Sequence, residues 1–182
     1  MQIVFILFTI FLILAVLLIW SVSTLIGLIR ARGVPFVTLR KAQLKGIAKH
    51  IKLMESDRLV DLGCGDGRVL RLFASQGVKV LHGYEVNFWA CLQARVFNLV
   101  RGVKTKIFFK NFNKADLKEY NIIFCYLLEG SLKRLREKFD KELKPGTKVI
   151  SYAFEIKDWR EPEIIYTDLE NKKLGRIFIY TI

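Results

Sequence analysis

The amino-terminal end of the chain lacks charge, since residues 1–29 contain no lysine, arginine, aspartate or glutamate. From residue 3 to residue 20 every side chain except Thr9 is apolar or aromatic, and a helix of about 20 such residues can cross a bilayer. The basic start of a cleavable secretory signal is missing. The rest of the chain is too small to bury a helix that is apolar on every side. The sequence therefore predicts an uncleaved transmembrane anchor over residues 1–29.

The chain also has few of the residues that bind metals or form disulfides. Its three cysteines, Cys64, Cys91 and Cys125, are odd in number and lack the spacing of metal ligands. Its two histidines are isolated from each other. We therefore expect reduced cysteines in the core and no metal site.

Acidic residues are scarce relative to basic ones after the anchor. The sequence has 30 basic and 17 acidic residues, a net charge of +13, and five bases follow the apolar run closely: Arg30, Arg32, Arg40, Lys41 and Lys45. The positive-inside tendency then predicts a domain on the cytoplasmic side, or on the matrix side in a mitochondrion. Neither a nucleic-acid recognition motif nor a stripe of bases and aromatics accompanies the charge. We predict a lipid bilayer as its partner and no nucleic acid.

Beyond a basic link at residues 30–37, helical and strand patterns alternate through a domain at residues 38–182. This alternation predicts an α/β fold with a parallel sheet covered on both faces. The last two strand patterns are joined by "ENKKLG", which is too short for a crossover helix and predicts an antiparallel hairpin. The predicted helices are 38–54, 67–75, 87–101 and one whose apolar face is Leu128, Leu132, Leu135, Phe139 and Leu143, with a short turn or helix at 114–120. The predicted strands are 58–63, 79–85, 104–109, 121–126, 147–154, 163–169 and 175–182.

The first strand-to-helix turn is rich in glycine and reads "VDLGCGDGRVL". Ligands of open α/β sheets bind beyond the carboxyl ends of the strands, and glycine lets them approach the backbone closely. A dinucleotide fingerprint has its third glycine one residue later than Gly67, where this chain has Arg68, and the Gly-Lys-Ser/Thr ending of a P-loop is missing. Asp61 and Asp66 would repel a pyrophosphate. The turn therefore favours a ligand with an ammonium or sulfonium group.

A further acid, Glu85, ends the second predicted strand 20 residues after Gly65. An acidic side chain at this place can accept the hydroxyl groups of a ribose. NAD would use the same acid, but the glycine spacing and the terminal hairpin favour a sulfonium nucleoside.

Three stretches, "VDLGCGDG", "GYEVN" and "LKPGTKVIS", resemble the motifs of the seven-strand S-adenosylmethionine-dependent methyltransferases, from about Leu53 to the end of the chain. The resemblance implies a Rossmann-like, mostly parallel seven-stranded sheet with a carboxy-terminal antiparallel hairpin, and S-adenosylmethionine as the cofactor. It implies that Asp61 and residues 63–67 face the methionine part, that Glu85 holds the ribose, and that Asn111 and Phe112 flank the adenine. The cofactor-binding residues so expected are Asp61, Gly63, Cys64, Gly65, Asp66, Gly67, Glu85, Asn87, Asn111 and Phe112.

A narrower resemblance rests on the amino-terminal apolar helix, "VPFV", "DLGCGDGR", "GYEVN" and "KNFNKADLKEYNIIFCYLL". Together they resemble the small membrane-anchored protein-lysine methyltransferases of mitochondria, which modify the ATP synthase c subunit or the adenine nucleotide translocase, and their prokaryotic relatives. The resemblance implies N-methylation of a lysine on a membrane-associated protein. The chain departs from the family at Val37 and Thr38, where a second proline is frequent.

Residues just beyond the fourth strand are the candidates for catalysis. Methyl transfer needs a nucleophile aligned with the sulfonium methyl and an uncharged acceptor amine. Tyr126 and Glu129 could align the amine or accept its proton. In the alternative reading, Glu129 stabilises the first turn of a helix and Tyr126 is a packed aromatic. Phe36 and Thr38 line the acceptor pocket or cap the following helix.

The Asp/Asn-Pro-Pro-Tyr/Phe signature of methyltransferases that act on base amino groups is absent from "FCYLLEG". Two alternatives to a protein lysine remain open: an amine-bearing phospholipid head group as the acceptor, and a noncatalytic nucleotide-binding adaptor at the membrane.

Overall fold

The computed structural model of the chain describes residues 1–30, 37–167 and 175–182. Most of the predicted link and the turn between the last two strands lie outside these residues, as does Phe36. The helices are α1 (Gln2–Arg30), α2 (Lys41–His50), α3 (Arg68–Ala74), α4 (Phe88–Val100) and α5 (Glu129–Glu142), with a 3₁₀ turn at Phe112–Lys114. The strands are β1 (Arg58–Leu62), β2 (Val80–Glu85), β3 (Lys106–Phe109), β4 (Ile122–Cys125), β5 (Lys148–Tyr152), β6 (Glu163–Tyr166) and β7 (Arg176–Thr181).

The described strands form one sheet in the order β3-β2-β1-β4-β5-β7-β6. The first five pair in parallel, and β7 pairs antiparallel with both β5 and β6. The α/β fold, the seven-stranded sheet and the carboxy-terminal hairpin predicted from the sequence are therefore confirmed. The second strand of the hairpin, β7, pairs with β5, so the first strand, β6, forms the edge of the sheet.

Successive side chains of each strand point to opposite sides of the sheet. Each side packs against helices and loops, so the protein has two cores. Leu59 of β1 belongs to a core formed with α2, α3 and α4. Its neighbour Val60 belongs to a second core, which contains the buried face of α5 and the loop residues Leu117 and Tyr120.

Helix α1 carries the uncharged segment. Over Gln2–Gly27 it is long and apolar enough to cross a membrane, by length and composition alone. Its side chains are largely exposed, but Gly27 is buried. A Cβ on Gly27 would lie 3.1 Å from the side-chain nitrogen of Asn87, so the end of α1 packs closely against the start of α4.

Two predicted helices differ from the structure. The helix predicted at 38–54 covers only Lys41–His50, because the Gln76 side chain donates to the Ile51 carbonyl and accepts from the Leu53 N–H, which holds this stretch extended. The helix or turn predicted at 114–120 is a 3₁₀ turn at Phe112–Lys114, and the chain after it is a loop.

Candidate active site

The carboxyl ends of β1, β2 and β4 bring the predicted site residues together. Leu62 of β1 is paired with Tyr84 on one side and with Cys125 on the other. The glycine turn, Glu85 and Tyr126 therefore lie side by side at the carboxyl ends of these three strands.

The three glycines of the turn all have positive φ, at 85° for Gly63, 55° for Gly65 and 76° for Gly67, a region that other residues enter only with strain. Gly67 is restricted further, because a Cβ there would lie 3.2 Å from both Ala94 and Asn98 of α4. The early third glycine thus allows α4 to pack against the start of α3.

Glu85 is bonded directly to the glycine turn. Its Oε2 accepts the Gly65 N–H at 2.9 Å, and its Oε1 accepts the N–H groups of Val86 and Asn87, both at 2.8 Å. Burial raises the pKa of Glu85, and these three donors oppose that shift. Because a carboxylate oxygen has about two acceptor positions, Oε2 keeps one position for a ligand hydroxyl.

Asp61 is buried, with 2% of its surface exposed, and lines the same pocket as Gly63 and Gly65. In the described part of the chain its carboxylate accepts no hydrogen bond. Burial raises its pKa well above the ordinary value, and the charges of Glu85 and Asp66 raise it further. A buried acid in this state is stabilised by a cationic ligand with N–H donors.

Asp66, a predicted cofactor-binding residue, pairs with neighbouring arginines. Arg68 donates to both of its carboxylate oxygens, at 2.9 and 2.6 Å, and the Arg71 guanidinium lies 3.7 Å away. Burial opposes its ionisation, but the Arg68 hydrogen bonds and the charges of both arginines outweigh burial and lower its pKa. Arg68 also donates to the Leu39 carbonyl, so this network joins the glycine turn to the segment before α2.

An open pocket of about 310 Å³, part of it continuous with solvent, lies above the turn. Thr38 is among its lining residues, which is one of the two roles predicted for it, together with Val37 and Leu39. Cys64 also lines it and is buried.

The other three predicted cofactor residues follow β2 and β3, whose ends pair at Glu85 and Phe109. Asn87 caps α4 by accepting the Ala90 N–H at 3.0 Å. Asn111 accepts the Asn113 N–H at 2.9 Å and begins the 3₁₀ turn, and Phe112 packs partly buried against the second core.

The two predicted catalytic residues lie in different places. Tyr126 lines the pocket, and its ring contacts Tyr152 edge-on at 5.5 Å and stacks on Phe154 at 6.4 Å between centroids. Glu129 begins α5 and is not among the residues that line this pocket; its carboxylate pairs at the surface with Lys157, at 2.9 Å.

Comparison with known proteins identifies the family. A model described as the ANTKMT methyltransferase domain matches residues 61–163, more than half of the chain. The chain is also 32% identical over 152 residues to a protein-lysine N-methyltransferase of Saccharolobus islandicus, covering 82% of this chain and 94% of that relative. The chain belongs to the ANTKMT methyltransferase family.

Two further relatives agree with this assignment. The methyltransferase is 27% identical to the adenine nucleotide translocase lysine N-methyltransferase of Mus musculus, over 84% of this chain and 68% of that protein. It also superimposes on an RNA methyltransferase from Salinibacter ruber solved with S-adenosyl-L-homocysteine, with a TM-score of 0.71, 28% identity and coverage of 80% of this chain and 94% of that one. The predicted family, the S-adenosylmethionine-dependent N-methyltransferase activity and the cofactor are therefore confirmed.

The residues of the pocket fit this cofactor. Asp61 offers a carboxylate that needs a cationic partner, Glu85 keeps an acceptor position for a ribose hydroxyl, and the glycine turn leaves its backbone accessible. When bound, S-adenosylmethionine supplies a methyl group that its sulfonium already activates. The residues of the chain then have to position the cofactor and the acceptor and exclude water.

The sequence interpretation did not identify several residues that shape the methyltransferase site. Arg68 is one of them, although an arginine two residues after Asp66 indicates a local ion pair. Tyr152 ends the fifth strand and Phe154 follows it, where "SYAF" places aromatics at a carboxyl edge. No sequence signal indicated that they would contact Tyr126, which lies 26 and 28 residues earlier.

Proposed function

We propose that this methyltransferase is a membrane-anchored protein-lysine N-methyltransferase whose substrate is a membrane-associated protein. Residues 1–29 form the anchor, residues 30–37 the link and residues 38–182 the catalytic domain. The basic residues that follow the anchor support a domain on the cytoplasmic side, or on the matrix side in a mitochondrion.

The observation that carries the proposal is the composition of the pocket. One cavity is lined by the carboxylate and glycines of the cofactor side, by Tyr126, and by Val37 and Thr38. Val37 ends the link from α1 and Thr38 follows it, and α1 is apolar enough to span a bilayer. The anchor therefore holds the pocket close to lipid, where it meets membrane-associated substrates, such as the protein for which the mouse relative is named.

The ring of Tyr126 at the pocket suits a lysine side chain. It is held by contacts with the buried Tyr152 and with Phe154, and it offers an apolar face for the methylene stem of a lysine. Removal of water from the amine favours its neutral, nucleophilic form. Of the two proposed catalytic residues, Tyr126 lines the pocket, which supports a role in orienting the amine. Glu129 acts on the amine only if it leaves Lys157.

Membranes incubated with tritiated S-adenosylmethionine and the full chain test the proposal. We expect the label to remain with protein after extraction with organic solvent and to be found as methyl-lysine after hydrolysis. Label in the phospholipid fraction would instead support a lipid amine as the acceptor. Label that ribonuclease releases would favour RNA, the substrate class in the name of the Salinibacter ruber protein.

The control is the Gly65→Arg variant, which places a large cation in the cofactor turn. It should bind no cofactor and incorporate no label. If the parent protein binds cofactor but labels none of the three fractions, the adaptor alternative is favoured and the proposal is wrong.

A further inference from the structure

Helix α4 exposes an unusual set of side chains. Its inward residues Cys91, Ala94 and Asn98 are buried. On the outward side, residues spaced by three and four positions are apolar yet exposed, and they form one stripe. This α4 apolar face consists of Phe88, Leu92, Val96, Leu99 and Val100. Leu99 and Val100 are 81% and 76% exposed, and an apolar patch of this kind marks an interaction surface.

The helix itself and the loop after it are basic. Residues 86–105 contain three exposed bases, Arg95, Arg101 and Lys104, and no acid. Apolar side chains beside such an excess of positive charge complement anionic head groups above acyl chains, whereas a protein partner would need its own acidic surface around an apolar centre.

The position of α1 relates this face to the membrane. Gly27, near the end of α1, packs against Asn87, the residue immediately before Phe88. A bilayer that contains Gln2–Gly27 therefore reaches the start of α4. The contact therefore brings the end of α1 next to the first turn of α4, where the α4 apolar face begins.

We infer that the α4 apolar face rests in the interface of an anionic bilayer, as a second membrane contact beside the α1 helix. This inference depends on the membrane placement of α1 proposed above. A single helix leaves the domain free to rotate about the anchor, and a second contact removes that freedom. Because α4 starts three residues after Glu85, the contact fixes the orientation of the cofactor edge relative to the lipid.

Site-directed labelling of the full chain tests the inference. The three native cysteines are buried and react slowly with a maleimide probe. Leu92→Cys and Val96→Cys place a polarity-sensitive fluorophore on the α4 apolar face. Glu137→Cys places it on the exposed side of α5, which covers the opposite face of the sheet. Ile13→Cys places it in the middle of α1.

Each labelled protein is reconstituted, one copy per disc, into nanodiscs of phosphatidylcholine and phosphatidylserine. We expect labels at 92 and 96 to shift to the blue and to be quenched by lipids carrying a spin label near the head group, several-fold more than the label at 137. The label at 13 should be quenched by a spin label deep in the acyl chains. Unchanged cofactor binding shows that each variant is folded.

The other outcomes separate the two proposals. Quenching at 13 without quenching at 92 and 96 leaves the anchor in place and overturns the inference about α4. No quenching at any site overturns both. A blue shift at 96 that lipid spin labels do not quench means that protein, not lipid, covers the face, and this also overturns the inference.

Discussion

The replacement Asp61→Asn should change the stability and the cofactor affinity of the protein in opposite directions. The Asp61 carboxylate is buried, accepts no hydrogen bond in the described part of the chain, and lies near the charges of Glu85 and Asp66. An amide of the same shape removes the buried charge. The ligand-free protein should therefore become more stable, while the cationic end of the cofactor loses its partner.

The size of both effects follows from the burial of the carboxylate. Each unit by which burial raises the pKa of Asp61 corresponds to about 1.4 kcal/mol, so we expect a gain on the order of 1 kcal/mol in the free energy of unfolding at neutral pH. A hydrogen bond to a charged group contributes roughly 1.5–3 kcal/mol. Its loss should weaken the binding of S-adenosylmethionine about 10- to 100-fold.

The stability difference should also depend on pH. Because the folded-state pKa of Asp61 is raised, its contribution to stability is fully present below the unfolded pKa and is lost as the pH rises through the folded pKa. The gain from Asp61→Asn should therefore be absent in acid, grow between these two pKa values and stay constant above them.

Urea unfolding of the ligand-free protein and titration calorimetry measure the two effects, and Asp57→Asn is the matched control. Asp57 is also buried, but it accepts the Met54 N–H and the Asn121 amide, both at 2.7 Å. Its replacement should cost about 1–3 kcal/mol and spare cofactor binding. A loss of stability in Asp61→Asn equal to that of Asp57→Asn, or unchanged cofactor affinity, would refute the reasoning.

Three other predictions concern the glycine turn, the acceptor side and the anchor. Gly83→Ala would bring a Cβ within 2.6 Å of the Cys64 sulfur; it should lower the unfolding free energy by about 1–3 kcal/mol and weaken cofactor binding, as measured by denaturation and calorimetry. If the Glu129 carboxylate has no role beyond its pair with Lys157, Glu129→Gln and Lys157→Gln should each lower the methylation rate slightly and by the same amount. A loss confined to Glu129→Gln, with cofactor binding intact, would identify Glu129 as the base. Removal of residues 1–29 should leave cofactor binding within a few-fold of the full chain and reduce methylation of membrane substrates; lost cofactor binding would show that the contact of α1 with α4 supports the fold.

Much of this architecture could be predicted because its signals are local. Alternating apolar periods determine the order of strands and helices, and a short connection determines the hairpin. That the glycine turn, Asp61 and Glu85 lie close together was predictable, because the carboxyl ends of the first two parallel strands lie side by side.

Other features were decided by packing between residues far apart in the chain. The sequence did not show that Glu85 bonds the Gly65 N–H, that the carboxylate of Asp66 is held by arginines, or that Glu129 pairs with Lys157. A long side chain can reach several partners, and the path of the surrounding backbone determines which of them it binds. The α4 apolar face could not be predicted either, because an apolar helical stripe is normally buried in the core. Only the tertiary structure shows which side of the helix the sheet leaves uncovered.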